Sequence, residues 1–281
     1  MKTTVATFLV GLVGIHLSAF GLSAERLQGV IPFEMHEHLI VVKVSFQNQG
    51  AFHFAIDTGS SYTVISNRLG KKLRLQGETI QVSSWGESIR CQKVTLPNLE
   101  LGNVHFDQVE AHITDLPAIR GLELDGLIGL DLLKRTTITI DFQSKAIRFG
   151  QVDRLQNSAS FYRGLPFLPI TLAVAGKPLR VILDTGSAGL VLYEEAVRGR
   201  IEFKTNGKTE YRPHAGGRVK LKQASVRQVT LGETLWDELP ALLLTGTRSG
   251  NQHAMGNLGV TSLRLALLHL DFQAGRLSWE R

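Results

Sequence analysis

The tetrad Asp-Thr-Gly-Ser occurs twice in this chain, at Asp57-Thr58-Gly59-Ser60 and at Asp184-Thr185-Gly186-Ser187. The surroundings repeat as well. An apolar run leads into each copy (Phe54-Ala55-Ile56; Val181-Ile182-Leu183) and another leads out (Val64-Ile65; Leu190-Val191-Leu192). Upstream, residues 39–46 then 51–56 match residues 168–174 then 179–183. Each pair reads as two strands joined by a turn, Gln47-Asn48-Gln49-Gly50 or Ala175-Gly176-Lys177-Pro178. Downstream, a short helical stretch (66–72; 193–199) is followed by Leu99-Glu100-Leu101-Gly102 and Val229-Thr230-Leu231-Gly232. Then come Gly126-Leu127-Ile128-Gly129 and Gly256-Asn257-Leu258-Gly259, and closing strands at 138–143 and 268–273. A duplication of this extent forces two alike folding units, because one pattern of apolar and turn residues has one best packing.

Those units are predicted to be all-β. Short apolar runs broken by Gly, Asn and Pro are frequent, and long amphipathic helical stretches are scarce. With 281 residues, 43% hydrophobic and 20% charged, a substantial core is expected. The expected organisation is a first lobe over 25–150, a polar linker over 151–164 containing Asn157-Ser158-Ala159-Ser160, and a second lobe over 165–281. Cys91 is the only cysteine, so no intrachain disulfide staples the fold.

Residues 5–24 carry no charge and follow Met1-Lys2, and Leu22-Ser23-Ala24 ends in small residues. This predicts a signal peptide over 1–24, with an uncleaved anchor as the alternative. Either places the folded part outside the cytoplasm, in a periplasm or secreted. Residues 25–34 read as a short pro-segment or as the first strand. Charge is concentrated in the second half: residues 198–227 hold nine basic and two acidic side chains. A solvated face is the plain reading, and contact with an anionic membrane surface or acidic substrates the sharper one. The aromatic interleaving of a nucleic-acid groove is missing, so no nucleic-acid partner is expected.

In each tetrad a strand delivers the aspartate, and the glycine permits a tight turn and close approach of another segment. The threonine hydroxyl is placed to bond across to the partner loop, and the serine hydroxyl to hold the outer carboxylate oxygen. Two carboxylates in matched contexts, brought face to face, share one proton and can hold one water between them.

On these motifs the chain resembles the aspartic peptidase superfamily, the group of retropepsins and pepsins. It is most similar to bacterial retropepsin-like proteins, here with two lobes in one chain. The resemblance covers nearly all of residues 35–281. Both Asp-Thr-Gly-Ser copies match the family's catalytic motif, and Leu127-Ile128-Gly129 matches its second motif. It implies a pepsin-like bilobal fold of two β-barrel-like lobes with the active site between them. It also implies Asp57 and Asp184 as the catalytic pair, supported by Thr58, Gly59, Ser60, Thr185, Gly186 and Ser187. The expected activity is endopeptidase hydrolysis by a monomer, without cofactor or metal, on peptide or protein substrates. The second lobe departs from the pattern, with Asn257 in place of an apolar residue. The disulfides and flap tyrosine of pepsins are not evident.

A first-lobe flap is expected near residues 81–93, with Trp85 and Gly86 at its tip. Trp85 would either cover substrate or pack on its own lobe. A second tip is expected at His214-Ala215-Gly216-Gly217. Met35-His36-Glu37-His38 lacks the one-turn histidine spacing of a zinc helix and reads as surface histidines. Asp125, Asp131, Asp141 and Asp271 read as structural. Three functions remain open: an active endopeptidase, a peptide-binding module without catalysis, or a membrane-tethered processing protease.

Overall fold

The computed structural model describes residues 27–281 except 48, 85–86, 152, 154, 215–216 and 247–253. The expected signal peptide and the flap-tip residues Trp85 and Gly86 lie outside the described residues. So do Ala215 and Gly216 of the second tip. Among the described residues no helix is long and apolar enough to cross a membrane.

The fold is all-β, arranged as two lobes and a sheet shared between them. In the first lobe the strands run, by neighbour, Glu78–Ser84, Glu87–Leu96, Val109–Thr114, Thr63–Ser66, Gly126–Ile128, Gln49–Ile56, Leu39–Phe46, Leu99–Leu101 and Val104–Phe106, with Glu34–His36 on Leu39–Phe46. In the second they run Pro169–Val174, Lys177–Asp184, Gly256–Gly259, Leu190–Tyr193, Thr234–Leu244, Gly217–Leu231 and Lys204–His214. This sheet closes on itself where Ala173 and Val174 pair with Thr230 and Val229. Closure removes exposed edges and makes a barrel.

The same three strands carry each tetrad. The strand ending at Ile56 or Asp184 lies parallel to Gly126–Ile128 or Gly256–Gly259. That strand in turn lies antiparallel to Thr63–Ser66 or Leu190–Tyr193. This central strand is flanked on both sides, and apart from Asn257 its residues are small or apolar. The short helices Asn67–Lys72 and Glu194–Val197 follow.

The closing strands do not each stay in their own lobe. Ile138–Asp141 pairs with Leu267–Asp271, and a six-stranded sheet built from both halves joins the lobes. Its outer strands are Gly29–Pro32, which pairs with Ala146–Phe149, and Asn157–Ser160, which pairs with Arg276–Glu280. The start of the folded region is therefore a strand, and the stretch read as a linker contributes another. Asn157-Ser158-Ala159-Ser160 is polar because it is an edge strand with half its side chains in solvent. Trp279 is fully buried here, its indole N–H donating to Thr234 Oγ1 at 3.0 Å. Two further bonds tie the lobes. Ser61 Oγ donates to the Pro166 carbonyl at 2.6 Å, and Lys134 Nζ donates to the Leu165 carbonyl at 2.7 Å.

The carboxylates read as structural have local partners. Asp125 accepts from Arg68 and from the His53 N–H, and Asp131 from the Thr63 hydroxyl. Asp141 accepts turn N–H groups from Gln143 and Ser144, and Asp271 from Ala274. Cys91 is buried in the flap strand opposite Ile80.

Candidate active site

The two tetrads meet at the lobe junction. Thr58 and Thr185 are almost wholly buried and lock the loops together through four reciprocal bonds. The Thr58 N–H donates to Thr185 Oγ1 and the Thr185 N–H to Thr58 Oγ1, both at 3.0 Å. Each hydroxyl then donates to a carbonyl of the opposite lobe, Thr58 to Leu183 at 2.8 Å and Thr185 to Ile56 at 2.7 Å. The N–H and hydroxyl of each threonine are thus paired at a buried junction, where an unmade bond would be costly.

This grip brings Asp57 and Asp184 face to face. The glycines mark how close they are. A Cβ on Gly59 would lie 2.5 Å from Asp184 Oδ1, and one on Gly186 would lie 2.9 Å from Asp57 Oδ1. Only a residue without a side chain lets each backbone pass so near the opposite carboxylate. The Gly59 N–H donates to Asp57 Oδ1 at 2.9 Å, and the Gly186 N–H to Asp184 Oδ1 at 2.9 Å. The Ser60 N–H adds a bond to Asp57 Oδ1 at 3.2 Å.

The serine hydroxyls do not hold the outer carboxylate oxygens, contrary to the sequence expectation. Ser60 Oγ donates to the Tyr62 carbonyl at 2.7 Å and Ser187 Oγ to the Gly189 carbonyl at 3.1 Å. Each closes its own turn, because a short side chain reaches a carbonyl two residues on more easily than a group beyond the loop.

Asn257 takes the role expected of the serine. Its Nδ2 donates to Asp184 Oδ2 at 2.7 Å, and its Oδ1 accepts from the Tyr193 hydroxyl at 2.9 Å. From sequence it is a departure from the apolar pattern. In the fold it is a buried polar group with both ends satisfied. The signal for it was present in the repeat, where Leu127 and Ser66 change together to Asn257 and Tyr193.

Burial and mutual repulsion govern the ionisation of the pair. Asp57 is pushed up to about 8, first by burial and then by the charge of Asp184, against the Gly59 and Ser60 N–H bonds. Asp184 is raised by burial too, opposed by Asn257 first and then by the Gly186 N–H. Two such carboxyls hold one proton between them over a broad pH range.

His38, read from sequence as a surface side chain, is half-buried in the turn before Leu39–Phe46. Burial and the charge of Arg212 push its pKa down, against the Gly186 backbone and Glu37. The turn at Glu37-His38 thus reaches the second lobe's catalytic loop, which no local pattern announces. His36 bonds the Ile119 carbonyl at 2.7 Å. The strands Glu78–Ser84 and Glu87–Leu96 pair as a hairpin where the first-lobe flap was expected, and Lys204–His214 with Gly217–Leu231 make a longer basic hairpin in the second lobe.

Two barrel-like β lobes that bring one aspartate each to a common junction, gripped by reciprocal threonines, define the bilobal aspartic-protease class of fold. Residues 42–132 and 170–261 each match the family described as aspartyl protease. The two matches cover more than half of the chain and coincide with the two lobes, so the chain belongs to that family. A 119-residue stretch, 41% of this chain, is 28% identical to DNA damage-inducible protein 1 of Saccharomyces cerevisiae (strain ATCC 204508 / S288c). That stretch spans 26% of the relative's length.

Proposed function

We propose that the protein is an aspartic endopeptidase that hydrolyses peptide bonds with a water activated by Asp57 and Asp184. The observation that carries this reading is the facing carboxylate pair, each member within close contact of the other loop's glycine. The ionised member takes a proton from the water. The protonated member hydrogen-bonds to the scissile carbonyl oxygen and gives its proton as the oxygen gains charge. Hydroxide adds to the carbonyl carbon, and the tetrahedral diol then collapses with proton transfer to the amide nitrogen. No acyl-enzyme forms.

The hairpins Glu78–Ser84 with Glu87–Leu96 and Lys204–His214 with Gly217–Leu231 would cover an extended substrate. The excess of basic side chains on the second favours acidic residues in the peptide or an anionic surface nearby. Since Asp57 is raised to about 8, the singly protonated pair persists to near-neutral pH. The alkaline limb of the pH profile is therefore expected at higher pH than an unperturbed carboxyl pair would give. The apolar stretch over residues 5–24 favours an exported location, periplasmic or secreted, for this action.

The test is incubation of the purified protein with a proteome-derived peptide library from pH 3 to 9, with and without a statine-type inhibitor. Inhibitor-sensitive cleavage that disappears in Asp57→Asn and in Asp184→Asn is the expected result. Specific peptide capture without cleavage at any pH would instead identify a binding module. Activity retained in Asp184→Asn would refute the dyad.

A further inference from the structure

The two lobes repeat the strand behind the catalytic loop but differ at one position in it. Leu127 pairs with Ala55, and Asn257 pairs with Ile182, so the two residues occupy the same register place beside the aspartate strand. The neighbouring strand differs in step. Ser66 ends Thr63–Ser66 and uses its hydroxyl to cap the helix Asn67–Lys72, accepting from the Leu69 N–H at 3.1 Å. Tyr193 ends Leu190–Tyr193 at the equivalent place and makes no side-chain cap. Its hydroxyl goes to Asn257 Oδ1 at 2.9 Å, and Asn257 Nδ2 goes to Asp184 Oδ2 at 2.7 Å. The second lobe thus holds a three-residue chain of bonds ending on one catalytic oxygen. Leu127, at the matching place in the first lobe, carries no donor.

Direction matters in this chain. A phenol donating to the amide oxygen turns the amide nitrogen toward Asp184. The flipped amide would set its oxygen against a carboxylate oxygen. Tyr193 is itself pushed up to about 12 by burial and the charge of Asp184, so it stays a donor throughout the working range. An N–H aimed at a carboxylate oxygen favours the ionised form of that carboxylate over the neutral one. Asp184 Oδ1 and Oδ2 each receive such a donor, whereas the backbone donors to Asp57 both go to Oδ1.

We propose that Tyr193 and Asn257 are positioning residues that divide the labour of the dyad, making Asp184 the base and Asp57 the acid. The assignment rests on the endopeptidase reading above. In the addition step the water O–H bond breaks, its proton goes to Asp184 and its oxygen bonds the carbonyl carbon. The carbonyl π pair moves to the oxygen, which takes the proton of Asp57. In the collapse Asp184 returns its proton to the amide nitrogen, the C–N bond breaks, and Asp57 recovers a proton from a diol hydroxyl. The pair ends as it began. His38 lies at the Gly186 backbone, with Arg212, Glu37 and His36 acting on it, and these are the further titratable or charged groups at this side of the dyad.

Two measurements decide the matter, on Asn257→Leu, which installs the first lobe's residue, and on Tyr193→Phe, which removes one hydroxyl with little change of shape. The first is the pH profile of kcat and kcat/KM on a cleaved peptide. In Asn257→Leu the acidic limb should move up by about one pH unit, with kcat reduced about tenfold and KM little changed. Tyr193→Phe should move the same limb the same way by less. Profiles that coincide with wild type in a folded Tyr193→Phe and Asn257→Leu would overturn the proposal. The second measurement is carboxyl titration by NMR with labelled aspartate, assigned through Asp57→Asn and Asp184→Asn, which needs no turnover. Asp184 should ionise first in wild type and lose that precedence in Asn257→Leu. Asp57 ionising first would overturn the assignment. A protein that cleaves nothing at any pH yet titrates as expected would remove the endopeptidase reading alone.

Discussion

The first and second catalytic loops have the same four residues, yet they sit in different surroundings. In the first, Gly59 is exposed and Asp57 and Ser60 are half-buried. In the second, Asp184 and Ser187 are buried and only Gly186 is partly open. Behind Asp57 stands Leu127, packed with Leu39, Val41, Ala55 and Leu124. Behind Asp184 stand Asn257 and Tyr193. The repeat therefore builds a symmetric backbone grip and hangs an asymmetric polar network on it. The lesson is that duplicated backbone geometry places two carboxylates, while side chains outside the motif set how each one ionises.

Removing either carboxyl should have the largest effect. Asp57→Asn and Asp184→Asn are each expected to lower kcat/KM at least about 10³-fold with the fold retained, measured by peptide cleavage and circular dichroism. Equal losses would uphold the pairing of the two loops, and a loss confined to one would break it.

The threonine grip comes next. Thr58→Val and Thr185→Val each leave a buried N–H and a carbonyl without partners and should cost about 2–4 kcal/mol of stability by denaturant unfolding. Because the four bonds close on one another, the double variant should lose less than the sum of the single losses. Simple additivity would show that the two hydroxyls act independently.

The glycines test how unequal the loops are. Gly59→Ala places a methyl 2.5 Å from Asp184 Oδ1, and Gly186→Ala places one 2.9 Å from Asp57 Oδ1. The first should reduce kcat/KM more than the second, by up to about tenfold on a misplacement scale of about 10² per ångström. Reversal of that order would shift the tighter contact to the other side.

The smallest effect concerns pH and stability. Asp57 binds its proton more tightly folded, near 8, than unfolded. The folded state therefore loses stability as pH rises from the unfolded carboxyl range toward 8. Asp57→Asn removes that loss, so the variant should be more stable than wild type at pH 8 and nearly equal at pH 4. Thermal unfolding at the two pH values measures it.

Much of the fold could be read locally. The apolar alternation and turn residues located the strands around each tetrad, and the matched spacing located the two lobes. What escaped were pairings between distant segments. Ile138–Asp141 and Leu267–Asp271 read as the ends of separate lobes, but they pair with each other, and Asn157–Ser160 read as a linker because an edge strand can be polar. The threonine bonds across the junction followed from the motif. The serine bonds did not, since a hydroxyl chooses its partner by a fraction of an ångström. His38 was visible only as a surface histidine and Asn257 only as a polar departure.

By itself the sequence determined that there are two lobes, that each ends a strand in Asp-Thr-Gly-Ser, and that two aspartates are available as a pair. Repetition and local periodicity suffice for that, because they depend on neighbours in the chain. Only the tertiary structure decided that Asn257 and Tyr193 reach Asp184, that the serines turn inward, and that one shared sheet binds the halves. Those outcomes depend on distances between residues far apart in the chain. Leu127 and Asn257 occupy one register place, and only the donor the second extends to Asp184 Oδ2 tells the two carboxylates apart.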